Sequence, residues 1–252
     1  MKSPASGVRI GLAGWSEAVS RHRTSLPPAA RFASDAPALS RYAAAFDFVE
    51  VNSSFYRQVR PATYANWASE VPDDFRFSVK MHRLITHYTR LKNTSLLDPF
   101  FESVGGLGEK LAAVLVQLPP SLAFDPAVAS EFFAALRARY SGAVVCEPRH
   151  ASWSEQDALD LLDSRNIGFV RTEIPAPAKE RARTAVPVYV RLHGSPRRYY
   201  SAYSSEQLAQ LAEFLRLNAK RRRFVVFDNT ASTAALRNAL ELRELLDQSS
   251  SL

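Results

Sequence analysis

The feature that most limits what this chain can fold into is a rhythm. Short apolar, β-branched runs fall at residues 8–12, 48–51, 75–79, 113–118, 143–146, 167–170, 188–192 and 224–227. Longer amphipathic stretches lie between most of them, at 36–46, 62–71, 94–107, 126–140, 155–165 and 206–217. A last one, at 231–246, follows the eighth run. Runs this short and apolar read as strands buried on both faces, and the longer stretches read as helices. Strands alternating with helices build parallel βαβ units. Eight such units in 252 residues predict an α/β fold, a single (β/α)8 TIM barrel over 1–252 with tails at 1–6 and 248–252. Pro61 and Pro126 sit at first helical turns, and Asp125, Ser154 and Ser204 offer N-cap oxygens. Pro175, Pro177 and Pro187 crowd the connection after the sixth run, so its helix is expected to be short or missing.

Composition narrows the setting. Hydrophobic residues make up 46% of the chain, enough for a full core, yet no apolar run approaches the roughly 20 residues of a membrane helix. The polar start, residues 1–7, lacks the apolar stretch of a signal peptide, so a cytoplasmic location is expected. Cys146 is the single cysteine, which excludes an internal disulfide and a cysteine-based zinc site. It lies inside an apolar run and reads as a small buried hydrophobe. The 32 Lys and Arg against 25 Asp and Glu give a net charge of +7, which favours anionic partners. No Walker loop or dinucleotide glycine fingerprint is present among only 9 glycines, so a nucleotide cofactor held by those motifs is not expected.

In such barrels the active site lies at the C-terminal ends of the strands. Each run delivers polar groups there. Trp15 and Ser16 follow the first; Glu50 and Asn52 end the second; Lys80 and His82 the third; Gln117 the fourth. Glu147 and Arg149 end the fifth, Arg171 the sixth, Arg191 and His193 the seventh, and Asp228 and Asn229 the eighth. Residues two apart on a strand share a face, and Glu50 with Asn52, Lys80 with His82, Glu147 with Arg149, and Arg191 with His193 all keep that spacing. The N-terminal ends show no comparable set. Charges gathered at one end can also satisfy one another as a structural ion network.

At this point the residues resemble a known family, the domain of unknown function 72, or YecE-like proteins. The segments that carry the resemblance are GLAGWS (11–16), VEVNSSFY (49–56), FRFSVKMHRLITH (75–87), LAAVLVQLPPS (111–121), CEPRHASW (146–153), YVRLHG (189–194) with 199–204, and FDNT (227–230). They follow in family order along nearly the whole chain. The resemblance implies a TIM barrel with a polar pocket and supplies no reaction. The chain departs from the family pattern at Ala13, where many members have Ser, and at Asp228, where many have Asn. Asp228 therefore adds a carboxylate.

Roles follow from side-chain chemistry. Glu147, Glu50, His193 and Asp228 are the candidate acid–base groups. Lys80, Arg149, Arg171 and Arg191 suit a phosphate or carboxylate, since a guanidinium makes paired bonds to either. Asn52, Gln117, Asn229 and His82 add polar contacts, and Tyr56, Trp15 and Trp153 could stack on a ring. The loop after the seventh run holds Ser195, Arg197, Arg198, Tyr199 and Tyr200, where barrels often bind phosphate. His82, His87 and His150 with Glu50 or Asp228 could hold a metal, although no tight ligand motif occurs, and the cofactor stays open. The basic run 220–223 falls at a helix end on the opposite face and reads as structural. The leading expectation is an enzyme of hydrolase or lyase type acting on a small anionic substrate. The alternatives are a nucleic-acid-binding or processing protein, whose affinity would fall steeply with salt, and a barrel that binds a metabolite without transforming it.

Overall fold

The computed structural model describes residues 7–15, 37–175, 186–232 and 234–248. Ser16, the tails at 1–6 and 249–252, and most of the connection after the sixth strand lie outside the described residues, as does the expectation of a short sixth helix. The fold is α/β with parallel sheets. Its contacts divide the chain into two compact units.

The first unit comprises Met1–Glu50, Glu70–Arg76 and Arg171–Leu252. Strands β1 (Val8–Leu12), β8 (Arg223–Phe227) and β7 (Val188–Leu192) pair in the order β1-β8-β7, all parallel. Their register is flush: Ile10 faces Val225, which faces Val190, and Leu12 faces Phe227, which faces Leu192. The strands are mostly apolar, as buried parallel strands are, with Arg9, Arg191 and Arg223 the charged exceptions. Helix α1 (Ala38–Ala43) leads into β2 (Phe48–Val51). The Tyr42 hydroxyl ties this corner, accepting from Leu12 N at 2.9 Å and donating to Phe48 O at 2.8 Å. The backbones of β1 and β2 approach so closely that a Cβ on Gly11 would lie 2.2 Å from Phe48 O. Parallel bridges pair Ala13 with Glu50 and Arg171 with Val190.

Helices α7 (Ser205–Leu217) and α8 (Ala234–Gln248) pack together, and Leu208, Leu211 and Leu215 of the first and Leu236, Ala239 and Leu242 of the second are buried. Ser204 caps α7 with a full capping box: its Oγ accepts from Gln207 N, and Gln207 Oε1 accepts from Ser204 N. The basic run has structural partners. Arg223 donates to Leu215 O in the last turn of α7, and Arg221 to Val186 O and Pro187 O.

The second unit comprises Val51–Ser69 and Phe77–Val170. Here β3 (Arg76–Lys80), β4 (Leu111–Gln117), β5 (Val144–Glu147) and β6 (Ile167–Phe169) run parallel in sequence order. Val114 faces Val144, which faces Ile167, and Gln117 faces Glu147. Two helices, α2 (Ser53–Tyr56) and α3 (Pro61–Ser69), precede β3. The later helices are α4 (Leu97–Val104), α5 (Pro126–Arg139) and α6 (Gln156–Ser164). Asp125 caps α5, accepting from Ala127 N and Val128 N, and Pro126 opens its first turn.

Two sequence expectations are corrected here, and one element is new. Ser154 is not an N-cap: it ends a 3-10 turn at Ala151–Ser154, and Glu155 holds the cap position of α6. The helix expected over 94–107 is α-helical only at Leu97–Val104, with 3-10 turns on both sides. Glycines explain the break. Gly106 lets the chain pass α3, where a Cβ would lie 2.2 Å from Pro61 O, and Gly108 takes a positive φ of 52°. A π-helix at Leu84–Tyr88, foreseen by no periodicity, follows β3.

Candidate functional site

The first unit gathers an ion network on the end of β7. Tyr189, Arg191 and His193 are spaced by two, so they share one face of the strand. Glu50 arrives from β2, seated beside Ala13 by the parallel bridge, and Asp228 follows β8 with its N–H donating to Leu192 O at 2.8 Å. Arg191 Nε lies 3.0 Å from both Glu50 oxygens, and Nη2 lies 2.8 Å from Oε1. The same Nη2 lies 3.1 Å from Asp228 Oδ2. Tyr189 donates to Glu50 Oε2 at 2.9 Å, and His193 Nδ1 lies 2.8 Å from Asp228 Oδ2. Glu50 is 0% exposed, Arg191 1% and His193 4%.

Burial at that level decides the roles. A carboxylate out of water is costly unless paired and hydrogen-bonded, and removing one partner of such a pair typically costs about 3–5 kcal/mol. Glu50 is satisfied by both Arg191 and Tyr189, so it is bound in place. Arg191, expected as a substrate-anion clamp, has its guanidinium engaged by two carboxylates, Glu50 and Asp228. His193 is different. Its contact is with Asp228 Oδ2, an oxygen that also accepts from Arg191, and an ionised carboxylate only accepts. Nδ1 is therefore the donor, and in the neutral ring Nε2 is the nitrogen able to take a proton.

The segment after β7 is held against this network. Tyr199 N donates to His193 O at 2.5 Å, and Ala231 N donates to Tyr199 O at 3.1 Å. These bonds hold Tyr199 at a φ of 68°, a conformation that costs a non-glycine residue on the order of 1–3 kcal/mol. The Tyr199 ring meets His193 edge-on at 5.9 Å. Arg197 lies 4.0 Å over Tyr200 and Arg198 5.9 Å over Tyr199, with all four side chains exposed. Asn229 serves the scaffold: its Nδ2 donates to Ser201 O at 2.9 Å and to Asn238 Oδ1 at 3.3 Å. Asn238 of α8 in turn bonds both Tyr203 N and Tyr203 O, while the Tyr203 hydroxyl accepts from Gly194 N. Burial pushes the Tyr203 phenol up, which keeps it a hydroxyl. Arg171 is exposed and Trp15 half-buried.

The second unit holds the remaining candidates. Glu147 is fully buried and lies 2.5 Å from Arg149 Nη2. Lys80 Nζ sits 4.2 Å over the Phe55 ring, and His87 meets the same ring edge-on at 4.8 Å. Burial, then the charges of Lys80 and Arg149, hold the His87 imidazole below its usual value. Gln117 turns back to Leu118 O at 3.1 Å. Asn52 is half-buried, and its Oδ1 has no hydrogen-bond partner among the described residues. Tyr56 is 63% exposed, with its ring edge-on to Phe55 at 4.9 Å and the Arg83 guanidinium 5.6 Å over it. Trp153, expected as a stacking residue, is 1% exposed, and its indole N–H donates to Leu122 O at 3.0 Å. Cys146 is buried, as expected, and burial pushes its thiol up, away from the reactive thiolate. Among the described residues no three His, Cys, Asp or Glu side chains converge as a metal-ligand set, and no helix is long and apolar enough to cross a membrane.

Sequence reasoning missed Tyr189, Tyr203 and Asn238. Tyr189 carried a signal, since it continues the alternation of Arg191 and His193 one step back into the strand. Tyr203 and Asn238 carried none, because their partners lie 9 and 35 residues away.

Comparison with known proteins gives a consistent set. The family described as "Protein of unknown function DUF72" matches residues 9–252. The chain is similar to UPF0759 protein YunF of Bacillus subtilis, 27% identical with 95% of each chain covered. It is also 27% identical to UPF0759 protein YecE of Escherichia coli K12 over 60% of this chain and 61% of that one. A crystal structure of a DUF72 family protein from Thermotoga maritima superposes with a TM-score of 0.77 at 26% identity, covering 95% of this chain and 99% of the other. A fusion protein with a xylose isomerase-like TIM barrel shares the fold at a TM-score of 0.58 and 15% identity, covering 97% of this chain and 44% of that one.

Proposed function

Because the chain belongs to the DUF72 family, which is described only as of unknown function, its chemistry has to be read from its own side chains, and we propose that it is an enzyme acting on a small anionic substrate with His193 as general base. The observation that carries this reading is the 2.8 Å contact from His193 Nδ1 to Asp228 Oδ2. Asp228 fixes the ring's tautomer and orientation, and it is itself held by Arg191. Nε2 then removes a proton from water, in a hydrolase, or from the substrate, in a lyase. The buried Glu50–Arg191–Tyr189 set serves as the rigid footing under that dyad. Arg197 and Arg198, with Arg171 from the neighbouring bridge, supply exposed guanidinium groups for a phosphate or carboxylate. Glu147, paired with Arg149, is a separate acid–base candidate in the second unit. The reading takes the protein as cytoplasmic and its strands as one closed (β/α)8 barrel. The likeness to a xylose isomerase-like TIM barrel supports that closure, as do the bridges at Ala13–Glu50 and Arg171–Val190.

The test is a turnover screen across phosphate esters and small carboxylic acids, run with the unaltered protein and with His193→Gln and Asp228→Asn. Turnover is expected to fall ~100-fold or more in His193→Gln, the usual worth of a general base, with the fold intact by circular dichroism. Turnover that survives His193→Gln, or none across the panel, overturns the reading.

A further inference from the structure

The second unit holds a cavity that uses none of the groups given to the His193 chemistry. Its basis is local. After α2 the chain turns extended at Arg57 (φ −145°, ψ 147°) and runs to Pro61, where α3 begins. Ser103 of α4 donates to Val59 O and fastens α4 to this segment. The π-helix Leu84–Tyr88 closes the other side. A π turn holds one more residue than an α turn and is frequent at functional sites. Arg90 and Leu91, just beyond it, both take positive φ (52° and 68°), a cost that persists only where the surroundings impose it.

These elements enclose a cavity of about 120 Å³. Its floor is apolar and buried: Val59, Tyr64, Ile85 and Phe100. Its polar edge carries Arg57, which is exposed, and His82. Among the described residues that line it there is no Asp or Glu. His82 Nδ1 accepts from Leu84 N at 3.1 Å, so the neutral ring carries its hydrogen on Nε2 and donates there. Burial, then the charge of Arg83, lowers the His82 pKa and keeps that neutral form populated. An apolar floor under two hydrogen-bond donors, one of them cationic, is complementary to one kind of ligand. Cavities of about 150 Å³ take a single benzene ring, which sets the size.

We infer that this cavity binds a small monocarboxylate with one ring or a short chain, its apolar body on Val59, Ile85 and Phe100 and its carboxylate on Arg57 and His82 Nε2–H. The inference goes beyond the His193 chemistry and does not depend on it.

Phenylacetate and its neutral counterpart phenylacetamide are the probes, titrated against the full chain by amide NMR. Phenylacetate should shift the amides of residues 57–59, 84–86 and 96–103 saturably, and phenylacetamide should bind ~10-fold or more weakly, since a charge-assisted bond is lost. Arg57→Glu, at an exposed position, should weaken phenylacetate by ~10-fold or more with the melting temperature unchanged. Leu96→Trp, which fills the cavity from its half-exposed side, should abolish binding of both. Equal affinity for acid and amide, full affinity in Arg57→Glu, or shifts confined to other residues would overturn the proposal. So would the lack of any saturable shift at about 20 mM, the weakest affinity such a site should show.

Discussion

At the scale of single residues, what a side chain does here is set by what it touches. Glu50, Arg191, His193 and Asp228 all stood out in the sequence as candidates, because each falls at a strand end and Arg191 and His193 are also two apart. Which of them pair was not legible. Arg191 has the same chemistry as Arg171, yet one is buried between two carboxylates and the other is exposed. His87 yields a pH dependence. Burial first, and then Lys80 and Arg149, depress its pKa in the folded protein below the ordinary 6.5. Below that pH the unfolded chain takes up a proton that the folded ring resists. Stability therefore falls as pH drops from 6.5 towards the folded-state pKa, and it is restored above 6.5. His87→Asn should flatten the decline of melting temperature over that acid window. An unchanged slope would mean that other groups set it.

At the scale of elements, local signals decided most boundaries. The Asp125-Pro126 pair and Ser204 marked the starts of α5 and α7, because capping is a bond between near neighbours. The same logic failed at Ser154, where the chain first makes a 3-10 turn. The π-helix carried no signal, since its geometry answers to what packs around it. Gly11 shows an element specified by a distant one. A methyl group there would meet Phe48 O at 2.2 Å and Phe48 C at 2.8 Å, both backbone atoms of β2 that have no rotamer to escape into. Gly11→Ala should destabilise the protein by about 2–3 kcal/mol or more, read as a lower urea midpoint. A midpoint within error of the parent would show that β1 and β2 can part without cost.

At the scale of the whole molecule, the repeated alternation of strand and helix was enough to read an α/β fold with parallel pairing, and the motif order was enough to place the chain in its family. The centres of the strands are fully buried in both units: Val114 and Val145 in one, Val190 and Val225 in the other. Their amides should exchange with deuterium more slowly than those of the exposed connections. Strand amides exchanging as fast as those connections would contradict the fold.

The sequence by itself determined where most strands and helices fall, which polar residues follow the strands and what chemistry each could offer. These depend on periods of two and 3.6 residues and on caps that span a turn. Only the tertiary structure decided that Arg191 belongs to Glu50, 141 residues away, and that His193 turns Nδ1 to Asp228, 35 residues away. A buried charge takes the partner that the fold brings within about 3 Å, and no local pattern in the chain encodes that distance.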